Sequence, residues 1–363
     1  MKQVWFAPVK NDAEEELIQQ KVVQLYNRAV DSFAFDNSQY ISEEEIIALK
    51  ISFGEKNNTG HIKPVYLEKL IDSLQKAGGR PFFTDANTLY KGQRSDSVAH
   101  LLQAAEHGFS IANTGIPVII ADGLLSKNHT GVEISGSHFS EVKIATDIVH
   151  SDLLIALSHV TGHLGSCLGA TIKNIGMGCA SRSGKQSQHA DFKPEVAAAE
   201  CTACGQCVQW CPVEAIEIVE GVARIDYDTC YGCAECMATC QFGAISTSWS
   251  GSSRELQEKM AEYTLGAIKG KEEKTLYFNF LIHVTKDCDC MGRAQQKIID
   301  DIGIMVSRDP VAVDQAAIDL LNEVSGKDFL KKTWEESNLD YRHQLQHAEK
   351  IGLGSREYKL VEV

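Results

Sequence analysis

Apolar residues along this chain alternate between short unbroken runs and stretches spaced three or four residues apart. Residues 13–32 set Leu17, Val22, Leu25 and Val30 near one helical face. Residues 46–53 form an apolar run closed by Gly54, the signature of a buried strand. Pro64 opens a helical pattern of Leu67, Leu70, Ile71 and Leu74 that stops at Gly78-Gly79. A strand over 81–84, a helix through Val98, Leu101 and Leu102, and strands over 117–120 and 153–157 follow. Later the pattern resumes with a helix over 253–268, a strand over 275–284, a helical stretch over 292–302, a strand-like Ile304-Met305-Val306 and a helix over 310–325. Strands alternating with helices predict an α/β body with a mostly parallel sheet. In such sheets ligands bind beyond the C-terminal ends of the strands.

A cysteine-rich interval interrupts this pattern. Its two runs are Cys201-x2-Cys204-x2-Cys207-x3-Cys211-Pro212 and Cys230-x2-Cys233-x2-Cys236-x3-Cys240. This spacing resembles that of bacterial two-cluster ferredoxins. The resemblance implies two [4Fe–4S] clusters, the fourth cysteine of each run serving the other cluster. One cluster then takes Cys201, Cys204, Cys207 and Cys240, and the other Cys230, Cys233, Cys236 and Cys211. The runs are also an internal repeat, since superposing Cys201 on Cys230 brings Ala215-Ile216 onto Ala244-Ile245. Gln241 replaces Pro212 between the halves, which changes a turn residue and no ligand. A disulfide framework needs an oxidising compartment, and zinc sites use paired Cys-x2-Cys units. Residues 193–250 therefore read as an α+β ferredoxin-like domain inserted between two parts of the α/β body, 1–192 and 251–363.

Charge narrows the partners. The chain of 363 residues has a formal net charge of −14. Between residues 196 and 247, Glu200, Glu214, Glu217, Glu220, Asp226, Asp228 and Glu235 face a single base, Arg224. Nucleic acid, which needs a basic footprint, is disfavoured, and an acidic face around the clusters suits a basic redox partner protein. The first twenty residues hold Glu14, Glu15 and Glu16 and no apolar block. No secretory signal or membrane span is expected, and twelve cysteines then fit a reducing cytoplasm.

Three constellations follow strand ends. The first, residues 50–58, offers Lys50 beside a permissive Gly54. The second, 158–194, is dense in glycine and carries His159, His163, Cys167, Lys173, Cys179, Arg182, Lys185 and His189. Lys50, Lys173 and Lys185 are candidates for binding an anionic small molecule, and His159, His163 and His189, with Lys173, for catalysis. Gly178 to Lys185 is not a phosphate-binding P-loop, because five residues separate its glycines and Gln186 follows the lysine. The third, Lys286-Asp287-Cys288-Asp289-Cys290, sets two cysteines on one face of extended chain. Cys288 and Cys290 are candidates for an additional metal or redox site, which Cys167 and Cys179 could complete. Asp309 before Pro310 reads as a helix N-cap. No nicotinamide glycine fingerprint and no clear flavin motif is present.

The pattern His159…Gly169-Ala170-Thr171-Ile172-Lys173-Asn174…Gly178, with Arg308-Asp309-Pro310-Val311-Ala312-Val313-Asp314, resembles the domain of unknown function 362 family over nearly the whole chain. Members of that family are often joined to a two-cluster ferredoxin, so the resemblance implies architecture more than reaction. The glycine-rich loop with its His and Lys is also loosely similar to nickel-pincer lactate racemases, from which no function follows. These readings lead to an iron–sulfur oxidoreductase that moves electrons through its clusters to a small molecule or metal in the α/β crevice. The rival is a non-catalytic ferredoxin-type carrier or assembly factor of a larger redox complex.

Overall fold

A computed structural model describes residues 1–32, 40–89, 92–189, 194–211, 213–230, 236, 240, 242–247, 253–335 and 339–363. Cys233, Pro212, Glu235 and Gln241 lie outside the described residues.

The apolar runs become one eight-stranded sheet. Its strands are β1 (Lys2–Pro8), β2 (Ile46–Ile51), β3 (Arg80–Asp85), β4 (Val118–Ile120), β5 (Leu153–His159), β6 (Thr275–Leu281), β7 (Gly303–Ser307) and β8 (Tyr358–Glu362). They lie in the order β8-β1-β7-β6-β5-β2-β3-β4. Every neighbouring pair is parallel except those that β7 makes with β1 and β6. The sheet is mostly parallel, as the alternation of strands and helices requires.

Both faces are covered, which explains why the strands read as unbroken apolar runs. Successive residues of β5 feed opposite cores: Leu153, Ile155 and Leu157 enter one, Leu154 and Ala156 the other. The first core is closed by α1 (Glu15–Asp31) and α2 (Glu68–Lys76), through Val22, Leu25, Leu70 and Leu74. The second is closed by α4 (Thr171–Gly176), α6 (Ser253–Ile268) and α7 (Pro310–Ser325), through Ile172, Ile175, Met260, Val313 and Ala316.

From β2 the chain steps outward to β3 and β4, then returns to lay β5 on the other side of β2. The strand order therefore reverses between β2 and β5. A crevice opens at their C-terminal ends, the usual place for a ligand in an open parallel sheet.

One expectation needs correction. Residues 292–302 form no helix. Side chains there engage backbone and side-chain groups elsewhere: Asp301 accepts the His283 amide at 2.8 Å, and Gln295 accepts the Asp287 amide at 2.9 Å. Such bonds compete with a helical ladder. The helix through Val98, Leu101 and Leu102 exists as α3 (Ser97–Glu106), but those three side chains face outward, 59%, 40% and 63% exposed. Its buried face is Ser97, His100, Gln103 and Ala104. It turns inward toward polar groups, with His100 Nδ1 3.2 Å from Asn87 Oδ1 and Ser97 Oγ donating to the Gly123 carbonyl at 2.8 Å.

Between β5 and β6 the chain leaves the sheet. Pro194–Val196 pairs antiparallel with Ile245–Thr247, and Ile216–Val219 with Val222–Ile225. These strands join none of the eight strands of the large sheet among the described residues. They enclose a separate small core of Cys207, Ile216, Ala223, Cys236, Cys240, Ala244 and Ile245.

Asp309 caps α7 as its sequence position implies, accepting the Val311 and Ala312 amides at 2.9 Å each. It also accepts the Ser355 amide at 3.1 Å. Asp309→Ala is expected to cost about 1–2 kcal/mol, and Asp309→Asn much less. The urea midpoint of anaerobically handled protein measures the difference.

Candidate functional site

One cleft of about 430 Å³ lies at the strand reversal. Lys50, His159, His163, Lys173, Lys185, His189, Cys288 and Cys290 all line it. Residues spread over 240 positions of sequence thus meet in one place, because they come from the C-terminal ends of the parallel strands, the loops beyond them and the helices packed over them.

Lys50, at the end of β2, is 1% exposed. Its ammonium lies 3.0 Å from Asp85 Oδ1 at the end of β3 and donates to Asn174 Oδ1 at 2.7 Å. Asn174 in turn donates to Ser158 Oγ at 3.0 Å and to the Leu157 carbonyl at 3.2 Å, both on β5. One amide and one ion pair therefore tie β2, β3, β5 and α4 together. Asp85 also meets Arg94 at 3.3 Å. Burial opposes charge on Asp85, but Lys50, His100 and Arg94 outweigh it and hold the carboxyl below its ordinary range.

Lys173 is presented by α4. The N-terminus of that helix is fixed by Asp314 of α7, which accepts the Thr171 and Ile172 amides at 2.9 Å each. Burial, reinforced by Arg94, lowers Lys173 to about 8. Burial likewise lowers Lys185 to about 8. Lys185 donates to the Ala180 carbonyl at 2.6 Å. Neither ammonium pairs with a carboxylate among the described residues. Two desolvated cations thus face one cavity.

The three histidines differ. His159 Nδ1 lies 3.0 and 3.1 Å from the Asp289 oxygens, and its Nε2 lies 3.0 Å from the Ile282 carbonyl. Both nitrogens face acceptors. Burial would lower its pKa, but the Asp289 charge and hydrogen bond prevail and the net shift is upward. It clamps the loop after β6 to the end of β5. His163 Nδ1 accepts the Gly165 and Ser166 amides at 3.2 and 3.0 Å, which leaves the proton on Nε2. Burial, then Lys173 and His189, hold His163 far below its usual range, so it is a neutral donor. His189, the C-cap of α5 (Arg182–Gln188), is lowered by burial and by Lys173 to about 4.

Cys288 and Cys290 form the one disulfide among the described residues, with Lys173 Nζ 3.6 Å from Cys288 Sγ. Cys167 and Cys179 belong instead to the core behind the sheet. Burial pushes their thiols up to about 12 and about 11, so they remain protonated and inert.

Sequence reading did not assign roles to Asp85, Arg94, Thr161, Asp289 or Asp314. Asp85 directly follows the strand predicted over 81–84, so the rule of strand ends points to it. Arg94 comes from a polar loop and nothing in its surroundings signals it. Thr161 is 1% exposed, lines the cleft, and its hydroxyl has no partner among the described residues.

In the cysteine-rich segment, Cys201, Cys204, Cys207 and Cys240 line one small cavity walled by Ile218, Ala223, Phe242 and Ile245. Three sulfurs accept amide hydrogen bonds: Cys201 from Ala223 at 3.4 Å, Cys211 from Ala215 at 3.2 Å and Cys240 from Ala244 at 3.2 Å. Thiolates converging on an apolar cavity, with amides aimed at the sulfur, fit an iron–sulfur cluster. The sequence repeat is also visible here, since Ala215 and Ala244 hold equivalent positions in the two runs. Glu214 and Gly243, also equivalent, both take a left-handed backbone, with φ of 54° and 68°.

The chain belongs to the family described as domain of unknown function 362, whose model matches residues 47–319. It is 36% identical over 78 residues to the pyruvate synthase subunit PorD of Methanothermobacter marburgensis, a match covering 22% of this chain and 89% of that protein. It is 33% identical over 78 residues to a ferredoxin of Pyrobaculum islandicum, covering 21% of this chain and 72% of that protein. The chain thus carries a ferredoxin-type iron–sulfur segment. The apoprotein of lactate racemase from Thermoanaerobacterium thermosaccharolyticum aligns with a TM-score of 0.35 and 11% identity. That alignment covers 79% of this chain and about half of that chain, 51%.

Gly178 leaves the space that Lys50 occupies: a Cβ there would lie 2.3 Å from Lys50 Nζ and 2.2 Å from the Asn174 carbonyl. Gly178→Ala is expected to dislodge Lys50 from Asp85, with a loss of about 3–5 kcal/mol if the buried pair breaks. Gly205→Ala, where a Cβ meets nothing within 4 Å but φ is +73°, should cost only about 1–2 kcal/mol. Chemical denaturation of the two variants tests the contrast.

Proposed function

We propose that this protein is an iron–sulfur oxidoreductase that delivers electrons from its ferredoxin segment to an anionic small molecule in the cleft at the strand reversal. The observation that carries this reading is where the segment joins the body. On the way in, His189 lines the cleft. On the way out, Ser253 donates at 2.7 Å to the carbonyl of Gly165, which lines the same cleft. The residues flanking the electron-transfer segment, His189 before it and Ser253 after it, thus reach the rim of the anion site.

Two [4Fe–4S] clusters, held by Cys201, Cys204, Cys207 and Cys240 and by Cys230, Cys233, Cys236 and Cys211, supply one-electron transfer when bound. The chain's own residues do the rest. Lys173 and Lys185 hold the anionic group, with Lys50 fixed behind them. Thr161 and the Nε2–H of His163 donate to an acceptor oxygen. Lys173, lowered toward neutrality, supplies a proton from its ammonium or takes one at its neutral amine. The partner is a redox protein that loads the segment, and its acidic surface suits a basic donor. Among the described residues no helix is long and apolar enough to cross a membrane.

A second reading is favoured by the likeness to PorD, which covers most of that subunit. In it, the chain is a non-catalytic carrier or assembly factor docked on a larger redox complex. The cleft and its unpaired lysines argue for the catalytic reading.

Anaerobic protein reduced with dithionite and screened against carboxylates and phosphates should be reoxidised by one class of anion. Lys173→Ala and His163→Ala should each reduce that turnover at least tenfold, and unchanged turnover would remove the cleft from the function. Stoichiometric capture of one redox protein with no turnover of any anion would favour the carrier. The KM for the anion should rise as pH increases through about 8, where Lys173 and Lys185 lose their charge. Below that pH both are protonated and binding is at its strongest.

A further inference from the structure

The loop after β6 carries an arrangement that anion binding alone does not use. We propose that Cys288 and Cys290 are a redox-active dithiol–disulfide pair that collects electrons arriving singly from the ferredoxin segment and passes them in twos to the anion at Lys173 and Lys185. This rests on the electron-transfer reading above and adds the group at which the electrons gather.

Four observations carry it. First, the two sulfurs are bonded and line the anion cleft itself. Second, the bond has little structural value. A cross-link stabilises by constraining the unfolded chain, and the effect shrinks with the enclosed loop; this one spans a sequence separation of 2. Third, the turn is braced without it. Asp289 is held by His159, and its carbonyl accepts the Glu55 amide at 2.9 Å. Thr285 Oγ1 donates to the Asp287 carbonyl at 2.7 Å, and Gln295 bonds both the amide and the carbonyl of Asp287, at 2.9 and 3.1 Å. The backbone of the turn is therefore held whether or not the sulfurs are bonded. Fourth, the Lys173 ammonium, 3.6 Å from Cys288 Sγ, stabilises the thiolate formed when the bond opens. A disulfide in a chain that also carries iron–sulfur clusters, which belong to reducing surroundings, is of the transient, catalytic kind.

A metal ion at the same place is the competing idea, since nitrogen and sulfur atoms of His163, Cys288 and Cys290 lie within 4.8 Å of one another. The hydrogen bonds of His163 disfavour it. A metal-bound histidine donates from its other ring nitrogen, whereas His163 Nδ1 accepts two amides. Its Nε2 therefore carries a proton and is not a free ligand.

The balance is simple. A low-potential one-electron donor protein is oxidised twice, and the two electrons with two protons convert the S–S bond into two thiols. Reforming the bond returns two electrons and two protons to the reducible anion.

The test follows the cysteines rather than turnover. Cluster-loaded, anaerobic protein is alkylated with iodoacetamide under denaturing conditions before and after reduction by a one-electron donor. The peptide holding Cys288 and Cys290 is then weighed, with iron measured on the same samples. The expected result is no label before reduction and two labels after. Electron uptake should exceed that of the Cys288→Ser/Cys290→Ser double variant by two per chain. In native reduced protein, Lys173→Ala should slow alkylation of Cys288 near pH 7 about tenfold, the effect of a one-unit rise in thiol pKa, and Lys173→Arg should restore it. Two labels in both states, or none after the clusters are fully reduced, overturns the proposal. So does one equivalent of metal that is lost in Cys288→Ser. Samples without iron would defeat the electron-transfer reading itself, whereas reduced clusters beside an inert pair would defeat only this one.

Discussion

The buried pair of Lys50 and Asp85 is the constraint on which the cleft depends. The two residues end neighbouring parallel strands, so their separation is set by the hydrogen-bonded spacing of the sheet. An unpaired charge in that position costs several kcal/mol. The pair therefore keeps both strand ends in register, and the side chains around it inherit that order. Asn174 reads the lysine on one side and β5 on the other. The short helix that begins three residues earlier is thereby aligned, and with it Lys173. Asp314 of α7 secures the same helix from within the same layer.

Much of this was legible in the sequence. Unbroken apolar runs announced a sheet covered on both faces, and β5 and β6 satisfied that reading residue by residue. The rule that function follows parallel strands led to Lys50, His159 and the Cys288–Cys290 loop, and one cleft holds all three. What sequence left out shares a cause. Val98, Leu101 and Leu102 located a helix, but its buried face lies elsewhere: α3 packs over a polar strand end, where His100 and Ser97 find the partners that leucines cannot supply. Residues 292–302 had helical spacing, but their Gln and Asp side chains found better partners in the backbone of the adjacent loop. Periodicity describes what one element would bury alone; it does not show what lies across from it. Arg94 and Thr161 stayed hidden for that reason, because their meaning comes wholly from neighbours distant in sequence.

Charge is divided unevenly. The chain as a whole is acidic and repels small anions at long range, and that repulsion is screened over about a Debye length in physiological salt. Inside the cleft the balance reverses, because Lys173 and Lys185 have lost their water and gained no carboxylate. The field inside the cleft is therefore set by short-range contacts in a desolvated space, apart from the acidic exterior.

The position of the ferredoxin segment within the crossover from β5 to β6 has a consequence for how the molecule assembles. These strands are neighbours in the middle of the sheet, yet the chain between them is about twice as long as the body alone would need. Loop-closure entropy grows only with the logarithm of length, so doubling the connection costs about 0.6 kcal/mol. A sheet of this kind can host an electron-carrying module at its centre with almost no thermodynamic burden. The penalty falls on timing, because the two central strands cannot zip together during synthesis until the whole module has been made.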